Sequence, residues 1–213
     1  MVALNAGGDI KLAGCGLMLS WAVMAIARKT YEPSGDGYGI WRQPDGLLVA
    51  VADGSGSGQK AAETTDLCLK TLEASTGHLD ADFQRCHQAL KRGRGAALAL
   101  IRINDETGMM TWAAVGDVDG TLFAHTAGRR TPAGGLTRIG GTLGLTFNGA
   151  APQSQLLRPG SLIVLTTDGV RREFAQDIAP DLTAAAAAEQ ILHAFRRPDD
   201  DSLVLAIELR ALQ

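Results

Sequence analysis

Aromatic residues make up only 5% of this 213-residue chain, which leaves no platform on which bases could stack. Basic residues are no richer: 20 Lys and Arg stand against 23 Asp and Glu, the net charge is −3, and no Lys/Arg block occurs. A nucleic-acid partner is therefore not expected. Cysteine is scarce, with three residues (Cys15, Cys68 and Cys86) at spacings that suit neither a disulfide framework nor a metal site. Free thiols of this kind belong in a reducing cytoplasm, and Cys68 and Cys86 fall where helices would turn a core face. Histidine is scattered at His78, His87, His125 and His193 and forms no Cys/His cluster, so a zinc-type site is not expected.

Long apolar runs are missing as well. The nearest, LAGCGLMLSWAVMAIA over residues 12–27, carries Ser20 and two glycines and is flanked by Lys11 and Arg28. That stretch is at the lower limit for a membrane span, and no basic segment precedes it as in a signal peptide. It predicts buried strand and no membrane partner.

What the chain does have is an ordinary globular balance, 46% hydrophobic and 20% charged, with 26 glycines that imply many tight turns. Length, and the lack of any repeat or linker, predict one domain over residues 1–213. The stretch LLVAVADGSGSG, residues 47–58, organises the rest. Its apolar run fits a strand buried on both faces. Asp53 sits where that strand leaves the core, and the glycines behind it permit close backbone approach. SLIVLTTDGV, residues 161–170, has the same grammar and ends in Asp168-Gly169.

Residues 17–27 predict a central strand and residues 30–41 a loop, while QPDG at 43–46 is a hairpin turn. Asp36 and Asp53 are thereby placed on neighbouring segments. Helical spacing marks residues 59–74 and 81–91, and the alanine run at 184–188 lies within a helix over 182–195. Residues 94–104, 109–117 and 121–125 read as a three-strand meander, 129–149 as loop with one short strand, and 161–167 and 202–209 as further strands. Helices set apart from antiparallel strands give an α+β class.

Four acidic positions stand at or beside strand ends: Asp36, Asp53, Asp168 and the run Asp199-Asp200-Asp201. Carboxylates and carbonyls are the ligands of Mg²⁺ and Mn²⁺, and converging carboxylates repel one another unless cations join them. Two such ions about 3.5–4 Å apart can activate a shared water. Taken singly, an Asp-Gly after a strand is most often a turn, and three aspartates after Pro198 read as a solvated loop; the set carries the argument. GSGSG before a helix could instead cradle a phosphate, but Lys60 is not followed by Ser or Thr as a P-loop requires, and the dinucleotide glycine register also fails.

These residues resemble the metal-dependent serine/threonine phosphatases of the type-2C (PPM) superfamily, in their bacterial SpoIIE/RsbX-like branch. The resemblance rests on six segments in the family's order: SGD at 34–36, ADGSGSG at 52–58, RGAALALIRIN at 94–104, AVGDV at 114–118, PGSLIVLTTDGV at 159–170 and DDDS at 199–202. CHQALKRGRGA at 86–96 adds to the likeness within that branch. It implies an αββα four-layer sandwich of two mainly antiparallel sheets with a two-metal centre, Mn²⁺ or Mg²⁺, between them. Asp53 would bridge the ions, the Gly54 carbonyl would bind one of them, and Asp36 would act through the metals and their waters. Asp168 and Asp199 would complete the set, with Asp200 as the second choice in the D-[DN]-x-[ST] pattern.

The implied reaction is in-line attack of activated water on a phosphoserine or phosphothreonine phosphorus, without a phosphoenzyme. The implied partners are phosphorylated STAS-domain proteins of a stressosome, dephosphorylated by a cytoplasmic monomer that resets a stress signal. The chain departs from the family at Ser57, where many relatives have His, and offers no convincing phosphate-binding arginine beyond Arg28. A catalytically weak docking module of the same fold is the alternative, and a nucleotide-binding protein using GSGSG is a third.

Overall fold

The computed structural model describes residues 3–28, 33–75, 77–126, 129–177, 179 and 181–212. In chain order the first elements are β1 (Ala3–Leu12), β2 (Leu17–Ile26), β3 (Asp36–Gln43), β4 (Gly46–Gly54), α1 (Gln59–Leu72) and α2 (Leu79–Leu90). Then come β5 (Ala96–Asn104), β6 (Met109–Val115), β7 (Asp119–Thr126), β8 (Arg129–Gly135), β9 (Arg138–Ile139) and β10 (Gln153–Leu156). The chain closes with β11 (Leu162–Thr166), α3 (Phe174–Asp177), α4 (Ala184–Phe195) and β12 (Ser202–Ala211).

Two sheets form, in the orders β1-β2-β12-β11-β7-β8 and β10-β6-β5-β4-β3, with β9 parallel to β6. All the other pairings are antiparallel. Period-2 alternation assigns each buried strand two jobs. On β4, Leu47, Val49 and Val51 meet Leu205 and Ile207 of β12 in the core between the sheets. Leu48, Ala50 and Ala52 of the same strand face the other way, into a second core beneath α1 and α2 with Cys68, Leu72, Phe83 and Cys86. A third core lies on the far side, where Ala187, Ala188, Ile191 and Leu192 of α4 cover Val164 and Val204. The layers are thus α, β, β, α, as the resemblance implied.

Helix α1 shows why a glycine stands at its start: Gly58 has φ 69° and the cap has no side-chain bond. Helix α4 instead uses Thr183, whose Oγ accepts from the Ala186 N–H at 3.2 Å. Among the described residues no helix is long and apolar enough to cross a membrane, and residues 12–27 form parts of the β1–β2 hairpin.

Two expectations need correction. Strand β3 starts at Asp36, inside the stretch read as loop, because pairing with β4 outweighs the three glycines there; Thr30, Tyr31 and Glu32 of that stretch lie outside the described residues. The three-strand meander is also divided. Strands β5 and β6 pair in the second sheet, whereas β7 crosses to the first and pairs β11 and β8. The loop 129–149 holds β8 and β9.

Candidate metal centre

Sheet topology brings the acidic strand ends together. The two-residue turn Pro44-Asp45 sets the β3–β4 register so that Asp36 lies directly opposite Asp53. Strands β11 and β12 are also antiparallel neighbours, with Thr166 opposite Val204. The exit from β11, carrying Asp168, therefore meets the entry to β12, carrying Asp200 and Asp201. These ends of the two sheets enclose one cleft of about 320 Å³, walled by Asp36, Asp53, Asp117, Asp168, Asp200 and Asp201. A larger cavity, about 600 Å³, lies on the outer face of the first sheet beside α4, but its charged residues, Asp9, Glu189, Glu208 and Arg210, include none of the acidic strand ends. The chemistry converges in the smaller cleft.

Hydrogen bonds hold the acids at different depths. Thr167 Oγ1 donates to Asp36 Oδ2 at 2.7 Å and itself accepts from the Leu203 N–H at 2.9 Å, which ties the two sheets across the cleft. Asp201 is buried and has both oxygens occupied, accepting from the Arg28 N–H at 2.7 Å and the Gly35 N–H at 2.8 Å. The Gly35 carbonyl accepts in turn from the Gly54 N–H at 3.0 Å and from Thr65 Oγ1 at 2.5 Å. Asp201 is thus an anchor for the segment that delivers Asp36. At Gly169 a side chain is impossible: a Cβ there would stand 1.8 Å from the Asp201 carbonyl oxygen.

The three aspartates of the acidic run take different places. Asp199 is exposed and absent from the cleft wall, while Asp200 is half-buried and lines it. The strand pairing decides this, since Ser202 begins β12 and leaves Asp200 at the mouth between β11 and β12. Gly54 ends β4 beside Asp53, as expected. Asp117 and Asp201 were missed as wall residues. Asp117 follows strand β6 through Gly116, the same strand-end grammar that marked Asp53 and Asp168, and AVGDV was recognised without giving its aspartate a role. No histidine lines the cleft; His87 Nδ1 accepts from the Gly144 N–H at 3.0 Å and its ring packs on Phe147.

Crowding shows in the proton affinities. Burial, then repulsion from Asp168, Asp200, Asp201 and Asp117, pushes Asp53 up to about 7. Asp36 is held well above the usual carboxylate range by burial first and Asp53 second, against the Thr167 bond that lowers it. Asp168 reaches solvent, yet partial burial and then Asp200 and Asp117 still raise it, opposed by Arg197. Several buried acids sharing one field is the condition a bound cation relieves. Among the described residues no three His, Cys, Asp or Glu side chains gather at one point as a ready cage. The acids are spread around the cleft instead, with an all-oxygen donor set. That arrangement fits hard divalent ions that share carboxylates and keep part of their water.

A family model described as Stage II sporulation protein E (SpoIIE) matches residues 43–210. The chain belongs to the SpoIIE family. Phosphoserine phosphatase RsbX of Bacillus subtilis (strain 168) is 28% identical over 178 residues, covering 80% of this chain and 85% of RsbX. The crystal structure of RsbX in complex with magnesium superposes with a TM-score of 0.81 at 21% identity, covering 97% of this chain and 100% of that one. A chain solved in work on the bacterial stressosome, a modular system adapted to control secondary messenger signalling, gives a TM-score of 0.77 at 26% identity, covering 89% and 99%. The SpoIIE match begins after Asp36, but the superposition on RsbX extends over the first three strands as well, so the fold is that of the whole RsbX chain.

Proposed function

We propose that this SpoIIE-family protein is a metal-dependent phosphatase that hydrolyses phosphoserine and phosphothreonine on partner proteins. The observation that carries the reading is the cleft in which Asp36, Asp53, Asp168 and Asp200 converge from four strand ends, the first three with raised proton affinities. Asp53, Asp168 and Asp200, with the Gly54 carbonyl, would hold two Mn²⁺ or Mg²⁺ ions, and Asp36 would act beside them. When bound, such ions make a shared water nucleophilic near neutral pH and neutralise charge on the phosphoryl oxygens.

The chain's own part is to hold the acids in place. Thr167 fixes the Asp36 carboxylate from the opposite sheet, and Asp201 fixes the backbone that carries it. Asp53, with its affinity near 7, binds a proton in competition with metal, so loading of the cleft rises with pH. With no histidine on the cleft wall, the proton for the leaving serine or threonine oxygen comes from cleft water.

The substrates we propose are phosphorylated STAS-domain proteins of a stressosome, whose dephosphorylation resets a stress signal. Similarity to RsbX and to the stressosome-associated chain supports this choice. The test is phosphate release from a phosphoserine/phosphothreonine protein and from p-nitrophenyl phosphate, with Mn²⁺, with Mg²⁺ and with EDTA. Turnover that needs metal and is lost in Asp168→Asn is expected. Metal binding without turnover on any substrate would instead leave a docking module of the same fold.

A further inference from the structure

A second hollow, about 260 Å³, adjoins the acidic cleft and shares Asp117 and Asp168 with it; its other walls include Asp119, Arg172, Glu173 and Arg197. Most of these charges are already matched. Arg172 pairs with Asp119 at 2.6 Å, and Asp117 faces Arg138 at 3.6 Å. Asp168 belongs to the proposed metal set. Arg197 differs: its guanidinium makes no hydrogen bond or salt bridge among the described residues, although its charge acts on Asp168.

The segment bearing Arg197 is fastened to the Asp168 turn. The Arg197 N–H donates to the Gly169 carbonyl at 2.7 Å, the Arg171 N–H donates to Phe195 at 2.8 Å, and Val170 bridges Arg196. Arg171 also lies over the Phe195 ring at 5.7 Å, and Phe195 packs edge-on to Phe174. An exposed guanidinium with no hydrogen bond among the described residues, on a backbone braced against the turn of a proposed metal ligand, can take an anion in fork geometry.

We propose that Arg197 is a substrate-docking residue, receiving an anionic side chain of the phosphoprotein, a carboxylate or a second phosphoryl group, that flanks the serine or threonine phosphate seated in the acidic cleft. The proposal rests on the phosphatase reading for the role of that neighbouring cleft. Glu173, exposed on the same hollow, opposes the docked anion and limits the preference.

The experiment compares three phosphoserine peptides differing only at the two residues on each side: all Asp, all Ala, or all phosphonomethylalanine, a phosphonate that the enzyme cannot hydrolyse. The ratio of kcat/KM for the Asp peptide over the Ala peptide is read for wild type, Arg197→Lys, Arg197→Ala and Arg197→Glu with Mn²⁺. We expect a wild-type ratio of about 10, carried by KM. It should shrink in Arg197→Lys, fall to about 1 in Arg197→Ala and drop below 1 in Arg197→Glu, while Glu173→Gln should raise it. The phosphonate peptide should exceed the Ala peptide by an Arg197-dependent ratio as the Asp peptide does, and a larger ratio than that of Asp assigns the site to a second phosphoryl group.

Anisotropy of the fluorescein-labelled unphosphorylated Asp and Ala peptides reads the same preference without turnover. If wild type hydrolyses nothing, the phosphatase reading fails and the anisotropy ratio alone decides the docking site. Equal treatment of Asp and Ala peptides by wild type, or a ratio that survives Arg197→Glu, overturns the proposal.

Discussion

The two ends of the β3–β4 hairpin use the same residue type to opposite effect. At the turn end, each aspartate has an arginine: Asp45 pairs with Arg102 at 2.9 Å and Asp105 with Arg42 at 3.4 Å. At the open end, seven residues along β4 from Gly46 to Asp53 and its opposite number Asp36, the carboxylates face one another with no arginine on the cleft wall. The paired end closes the turn. The unpaired end stores repulsion that only a proton or a cation relieves, and that is the physical mark of a site rather than a brace.

The largest expected effect comes from breaking the unpaired end. Asp53→Asn should lower metal-dependent phosphate release by about 100-fold or more, the scale of losing a preorganised electrostatic group. The same variant should melt no lower than wild type in EDTA at neutral pH, because a repelling charge has gone. A large loss of apo stability with it would contradict the account of stored repulsion.

Asp201→Ala comes next and separates anchor from ligand. It leaves the buried Gly35 N–H and the part-buried Arg28 N–H without their acceptor, a cost of about 1–3 kcal/mol in chemical denaturation. Turnover should fall with it, since the Asp36 segment loosens. Asp199→Ala, two residues earlier in the chain and outside the cleft wall, should change neither quantity appreciably; activity loss there would return Asp199 to the proposed metal set.

The pH dependence sharpens the contrast further. Asp36, Asp53 and Asp168 have folded-state affinities raised above those of the unfolded chain, Asp53 to about 7. Between about pH 4 and 7 the metal-free folded state therefore binds protons that the unfolded chain has released, and stability falls as pH rises through that window. In EDTA the melting temperature should be higher near pH 5.5 than near pH 7.5, and Mn²⁺ should recover the difference at the higher pH by binding the folded state. A melting temperature indifferent to both would remove the electrostatic argument.

The smallest effect belongs to the paired end. Asp45→Asn removes a largely exposed partner of Arg102 and should cost under about 1 kcal/mol in a denaturant melt, with phosphate release unchanged.

Much of this was legible in the chain itself. The apolar run at 47–52, with a turn signal just before it, determined a buried strand entered by a hairpin turn, and so placed Asp36 and Asp53 on neighbouring segments; only the pairing of β3 with β4 set them directly opposite. Carboxylates at strand ends, with no Cys/His cluster, pointed to a hard divalent cation, and the ordered motifs determined the family. What only tertiary structure decided depends on long-range pairing. Local alternation says which face a residue takes but not which sheet receives its strand, so β7 was assigned to the wrong one. The three consecutive aspartates are chemically equal in sequence; the register of β12 against β11 sends Asp199 to solvent, Asp200 to the cleft and Asp201 inward to two backbone N–H groups. Arg197 acquires its place only because its backbone is bonded to the Asp168-Gly169 turn, 28 residues earlier in the chain, a contact that no periodicity encodes.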